Sequence, residues 1–186
     1  MSVLKLIVVS GLPGSGKSTL AEGIARALRM PLLSVDPIES AMIQSGLERS
    51  FQTGLAAYFV AERLASEQLQ GDLSVIIDAV SPVEEARELW RGLSKKFHAS
   101  LIIIECVLDR EVHRHRIESR IRNLHGIPEV TWNDVEQRRQ EYIPRNEERL
   151  IINSANNVET NLEKALEYIV TLKTKPSPLL EVAAQR

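Results

Sequence analysis

The chain has 186 residues, 44% hydrophobic and 26% charged, with a formal net charge of -2. That length holds one domain with a full core and excludes two ordinary ones, while the near-average composition excludes a disordered or fibrous chain. The slightly acidic balance supplies no long-range field for nucleic acid or an anionic membrane, so partners must be inferred from a site.

The first element is a β-branched run, Leu4 to Ser10, far too short to span a bilayer and leading into glycines rather than a cleavage site. A cytoplasmic protein with no membrane partner is the expectation. Gly11-Leu12-Pro13-Gly14-Ser15-Gly16-Lys17-Ser18 follows, between that strand and a helix predicted over Ser18 to Arg29. This is the Gly-x4-Gly-Lys-Ser pattern in the strand-to-helix setting it requires. Gly11, Gly14 and Gly16 let the backbone curl so that N–H groups around Ser15 point inward, and the helix adds its positive end. Lys17 is expected to reach the β and γ phosphates, Ser18 to ligate Mg2+, and Thr19 to add a donor near the α phosphate. The implied ligand is Mg-ATP, with GTP left open.

Leu32 to Val35 reads as the second strand, and Asp36 after it as the base that orients or accepts the acceptor proton. Asp36-Pro37 reads equally as a helix N-cap followed by proline at the first helical position. Ile38 to Gly54 is expected to shape the acceptor pocket, with Glu39, Arg49, Glu62 and Arg87 either lining it or simply solvated. A helix over Thr53 to Gln70 places Ala57, Val60, Ala61, Leu64, Ala65 and Leu69 on one stripe. The third strand, Leu73 to Ile77, is followed by Asp78, which fits a Mg2+ ligand of the Walker-B kind or an ordinary strand-end acid. Ser81-Pro82 with Glu84 and Glu85 reads as the start of a helix to Phe97, with Trp90 in the core. The single Cys106 lies in the fourth strand, Leu101 to Leu108, as a buried inert thiol.

The next helix, Asp109 to Leu124, is rich in arginine. Arg114, Glu118 and Arg122 follow one another at i,i+4 and can neutralise themselves. Arg116 and Arg120 are also four apart but have no acidic neighbour on their face, which suggests an external anion. Arginines carried over a γ-phosphoryl group stabilise its charge and exclude water, so this helix reads as a lid. The plain alternative is a solvated basic face. His113, His115 and His125 lack a metal-ligand pattern. A helix over Glu129 to Ile143 flanks Arg138 with Asp134 and Glu141, making it either a surface ion pair or a secondary site residue, and Trp132, Val135 and Tyr142 form a core stripe. The strand Leu150 to Ile152 and the helix Val158 to Leu172 close the domain, and 173–186 reads as a loosely attached tail. Nearly continuous apolar strands alternating with helices predict an α/β fold with an open five-stranded parallel sheet and ligands at its carboxyl ends.

At these residues the chain resembles the P-loop kinases of the adenylate kinase and polynucleotide kinase group, including chloramphenicol phosphotransferase, gluconate kinase and zeta toxin. The likeness spans roughly residues 3 to 170. Gly11 to Thr19 matches the Walker A loop, Asp36 the acid after the second strand, Ile76-Ile77-Asp78 the third-strand acid, and Arg116-Ile117-Glu118-Ser119-Arg120 the lid arginines. The resemblance implies a three-layer P-loop NTPase fold over 1–172 with strand order 2-3-1-4-5. It also implies Arg116 against adenine, Arg120 on the phosphates and Arg138 reaching the transferring group. No arginine occurs between Asp78 and Arg87, which argues against an ordinary nucleoside monophosphate acceptor.

The leading expectation is therefore a kinase moving the γ phosphate of ATP to a hydroxyl of a small molecule, with Lys17, Asp36 and Arg120 in the chemistry. A polynucleotide 5'-hydroxyl kinase ranks lower, because few aromatics and an acidic balance supply neither stacking platforms nor a basic groove. A third reading is a non-catalytic ATP-binding switch or toxin-like regulator.

Overall fold

The computed structural model describes residues 3–119 and 129–172. Arg120, Arg122, His125, the predicted lid helix beyond Ser119 and the tail 173–186 lie outside these described residues. In chain order the elements are β1 (Lys5–Ser10), α1 (Lys17–Leu28), β2 (Leu32–Ser34), α2 (Val35–Gln44), α3 (Phe51–Gln70), β3 (Val75–Asp78), α4 (Glu84–Phe97), β4 (Ser100–Val107), α5 (Arg110–Ser119), α6 (Trp132–Glu141), β5 (Leu150–Asn153) and α7 (Val158–Thr171). The strands form one parallel sheet in the expected order, β2-β3-β1-β4-β5.

Every residue of β1 is buried, because side chains alternate between two covered faces. Leu6 and Val8 join Val75, Ile77, Trp90 and the small residues Ala57, Ala61 and Ala65 of α3 on one face. Ile7 and Val9 join Ile102, Ile104, Leu20, Ile24 and Ile169 on the other, beneath α1 and α7. Burying an aliphatic side chain of this size contributes about 1.5–3 kcal/mol, so two such layers fix the position of the central strand and of the loop that leaves it. Trp90 belongs to the core as expected, and its indole N–H donates to Ser81 Oγ at 3.1 Å. Cys106 is buried and free, and burial pushes its thiol up to about 11.

Several boundaries differ from the sequence reading. Val35 is the first residue of a short helix, α2, and not the end of β2; its N-cap is Ser34. Asp36 therefore lies inside the first turn and is not the cap. α3 begins at Phe51, where Ser50 accepts from the Thr53 N–H, two residues earlier than expected. Along α3, Ala57, Ala61, Ala65 and Leu69 are buried, but Val60 and Leu64 are exposed beside Phe51, Leu55 and Phe59. The residues of α3 in the core layer are thus mostly small, with Leu69 the large one among the fully buried. Leu73 is outside β3, which instead includes Asp78. α4 starts at Glu84 rather than Pro82, since Val83 is extended, with φ -112° and ψ 162°, and serves as the N-cap. α6 is shortened to Trp132–Glu141 by a capping box in which Thr131 and Asp134 bond reciprocally. Among the described residues, no helix is long and apolar enough to cross a membrane.

Candidate active site

The site stands at the carboxyl end of β1, where parallel register sets Val9 opposite Asp78 and Ser34 opposite Asp78. Three chain segments distant in sequence therefore deliver Gly11–Lys17, Asp36 and Asp78 to one place. Gly11, Gly14 and Gly16 all have a positive φ and little or no room for a Cβ, and the last two lie against other segments of the site. Gly14 has φ 79°, and a Cβ there would strike Ile117 Cδ1; Gly16 has φ 91°, and a Cβ would meet Ser154 at 3.1 Å. Both positions lie in the left-handed region that disfavours side chains. Gly16 is also the N-cap of α1, makes no side-chain cap bond, and is followed by no acid in the first turn. The first-turn amides and the positive end of the helix are thus left to an anion.

Lys17 is buried, with 4% exposure, and its ammonium stands 3.7 Å from Asp36 Oδ2 and 3.7 Å from Asp78 Oδ1. A buried cation needs such partners, since leaving it alone would be costly. Both distances exceed a hydrogen bond, and Asp78 Oδ1 is buried without a hydrogen-bond donor. The lysine is held between two carboxylates by charge alone, free to turn toward a stronger anion.

The residues around the lysine and beyond it divide. Glu39 faces the same side as Asp36, and burial first, then the Asp36 charge, raise its carboxyl above the usual range. Tyr58 accepts from the Ser81 N–H at 3.1 Å, and burial pushes its phenol up to about 12. Arg138 pairs with Glu141 at 2.9 Å and its side chain is exposed, with its charge felt at Glu39 and Tyr58. Arg49 also acts on Glu39. Arg87 neither lines the pocket nor faces solvent: it is buried and donates to the carbonyls of Ser81, Pro82 and Ile143. Tyr142 and Trp132 are only half-buried, Tyr142 under Arg87 with its hydroxyl donated to Glu105 at 2.7 Å.

A cleft of about 290 Å³ opens between Gly14 with Gly16–Leu20 and a wall of Ser154, Val158 and Asn161, and Arg116 also lines it. Arg116 is not left to an external anion alone; its guanidinium donates to Ser154 O at 3.0 Å and bridges α5 to the turn after β5. Asn161 donates to Asn153 O at 3.0 Å, which fixes the orientation of its amide. Arg114 pairs with Glu118 at 2.8 Å, as the spacing implies. The sequence reading did not single out Ser154, Asn161 or the role of His113, whose ring is 1% exposed with Nε2 2.7 Å from Pro13 O. A histidine in a run of basic residues looks solvated until the fold lays that helix face on the loop.

These features can be set beside known proteins. Residues 6–142 match the AAA domain family model, AAA_33. The chain belongs to that family. A bifunctional polynucleotide phosphatase/kinase of Schizosaccharomyces pombe is 30% identical over 138 residues, covering 73% of this chain and 30% of that protein. This family member thus spans less than a third of the curated relative's length. Among solved structures, a candidate kinase from Chloroflexus aurantiacus aligns with TM-score 0.74 at 25% identity, covering 89% of this chain and 98% of that one. An APS kinase of Mycobacterium tuberculosis, solved with AMPPNP and APS, aligns with TM-score 0.69 at 18% identity over 91% of this chain and 99% of its own. The latter likeness concerns the fold. Together the family and its neighbours make this a P-loop kinase domain and support a phosphotransferase.

Proposed function

We propose that the protein transfers the γ-phosphoryl group of ATP to a hydroxyl of a small-molecule acceptor. The observation that carries this reading is Lys17, buried and suspended at 3.7 Å from both Asp36 and Asp78 at the mouth of a glycine loop. In it, the amides around Ser15 and the first turn of α1 hold the β and γ phosphates, Lys17 follows the charge onto the transferred group, and Thr19 donates near the α phosphate. Arg116 lies against the base, and Arg120 is assigned to the phosphates by its motif. Asp36 accepts the acceptor's hydroxyl proton, and Arg138 is assigned to the transferring group by the family resemblance. Ser18 and Asp78 are proposed to hold Mg2+, which when bound neutralises charge between the β and γ oxygens. Glu39, Arg49 and Tyr58 shape the acceptor end, and a cytoplasmic location accords with the single, inert thiol.

Incubation with γ-labelled ATP, Mg2+ and a metabolite library that includes oligonucleotides tests the reading by which species gains label. With an acceptor found, Asp36→Asn is expected to lower kcat by about 10²–10⁴-fold; turnover near wild type would remove Asp36 from the base role. Lys17→Ala is expected to abolish Mg-dependent nucleotide uptake in calorimetry. A second reading, a polynucleotide 5'-hydroxyl kinase, is favoured by the fission-yeast relative. Label on oligonucleotides, with acceptor binding that weakens steeply as salt rises, would select it.

A further inference from the structure

The face of α5 turned toward the phosphate loop carries more than arginines. His113 Nε2 meets Pro13 O at 2.7 Å, and Ile117 occupies the space that a side chain at position 14 would need. A carbonyl can only accept, so Nε2 carries the proton and Nδ1 is an acceptor. Nδ1 faces the Arg139 guanidinium of α6 at 3.5 Å, and Trp132 stands edge-on to the ring with centroids 5.7 Å apart. Arg139 in turn lies 6.0 Å over the Trp132 ring and pairs with Glu136. The imidazole is thus fixed in position and tautomer by α6 and delivers one N–H to the tip of the loop.

We propose that His113 is a positioning residue for the triphosphate: by holding Pro13 O it fixes the direction of the Gly14 N–H. The Pro13–Gly14 peptide is planar and trans, so its C=O and N–H point to opposite sides. Anchoring the carbonyl to α5 turns the Gly14 N–H away from α5, toward the concave side of the loop. The peptide lies at the centre of a turn closed by the Ser15 N–H on Leu12 O at 3.0 Å, and Gly14 at φ 79° adds no side chain to hold its plane, which leaves the His113 bond to fix it. The helix that brings Arg116 to the cleft therefore also presets the amide that grips phosphate. This rests on the kinase reading above only in taking the loop's ligand to be a nucleoside triphosphate.

Two substitutions separate the donated proton from the packing of the ring. His113→Phe keeps a ring beside Trp132 and loses the donor; His113→Gln loses the ring and places an amide N–H where Nε2 stands. With Mg2+ and AMPPNP as the probe in calorimetry, His113→Phe is expected to bind about tenfold or more weakly, and His113→Gln within about threefold of wild type. Equal affinities for the two, or the reverse order, overturn the proposal. Should either fail to fold, the other decides alone: tight binding by the Phe variant or a tenfold loss in the Gln variant overturns it. A wild-type protein that takes up no AMPPNP would instead sink the kinase reading.

Discussion

Gly14 and His113 face one another across the contact between the loop and α5, and each makes a prediction. Gly14→Ala places a methyl group into Ile117 at a left-handed φ. The strain is expected to cost about 1–2 kcal/mol, read as a lowered melting temperature, together with weaker nucleotide binding. For His113, burial above all, then the Arg139 and Arg116 charges, lower the ring's pKa against the opposing pull of the Pro13 bond and Glu136. The unfolded chain then takes up the proton first, near its ordinary 6.5. Stability from this group is complete above that pH and is lost as pH falls through the lower folded value. The melting temperature of wild type should accordingly drop more than that of His113→Gln between pH 7 and 5. Glu39 has the opposite sign: its raised carboxyl favours the folded state at acid pH, an advantage that fades as pH rises above 4.5.

At the scale of elements, the segment between α6 and β5 is tied down by charge. Glu105 of β4 accepts from Tyr142 at 2.7 Å and from Arg149 at 2.5 Å; Arg145 is buried against Ser81 O, and Arg91 of α4 pairs with Glu84, Glu88 and Glu147. Replacing Glu105 by Leu leaves Arg149 without its carboxylate, though still on the carbonyls of Arg145 and Glu147, and is expected to cost about 2–3 kcal/mol in chemical denaturation. Apart from Arg91 with Glu84 and Glu88, which share α4, these partners are not legible in the sequence, because each pair joins residues from different segments. What was legible is local: the glycine loop, the five apolar strands and the two aspartates at strand ends follow from spacing and composition. The start of α2 was legible only as the alternative reading of Asp36-Pro37, with the cap placed two residues after the true one, Ser34. Val60 and Leu64 were misplaced because periodicity marks a stripe without saying which half of it meets the sheet.

For the whole molecule, the order β2-β3-β1-β4-β5 puts the loop-bearing strand in the middle, with a covered face on either side. The alternation of strands and helices predicted this frame, and the resemblance supplied the order. The cleft wall of Ser154, Val158 and Asn161 remained hidden because it forms only when β5 joins β4. Trp90→Ala is expected to cost about 3–5 kcal/mol in denaturant unfolding, since the indole fills one core layer and holds Ser81 as well. The register that sets Val9 beside Asp78 has a kinetic corollary. Lys17 and its two carboxylates meet only after the non-local pairing of β1 with β3, which comes late in assembly for such a topology. Saturating Mg-AMPPNP should consequently slow unfolding in stopped-flow measurements and leave the refolding rate almost untouched.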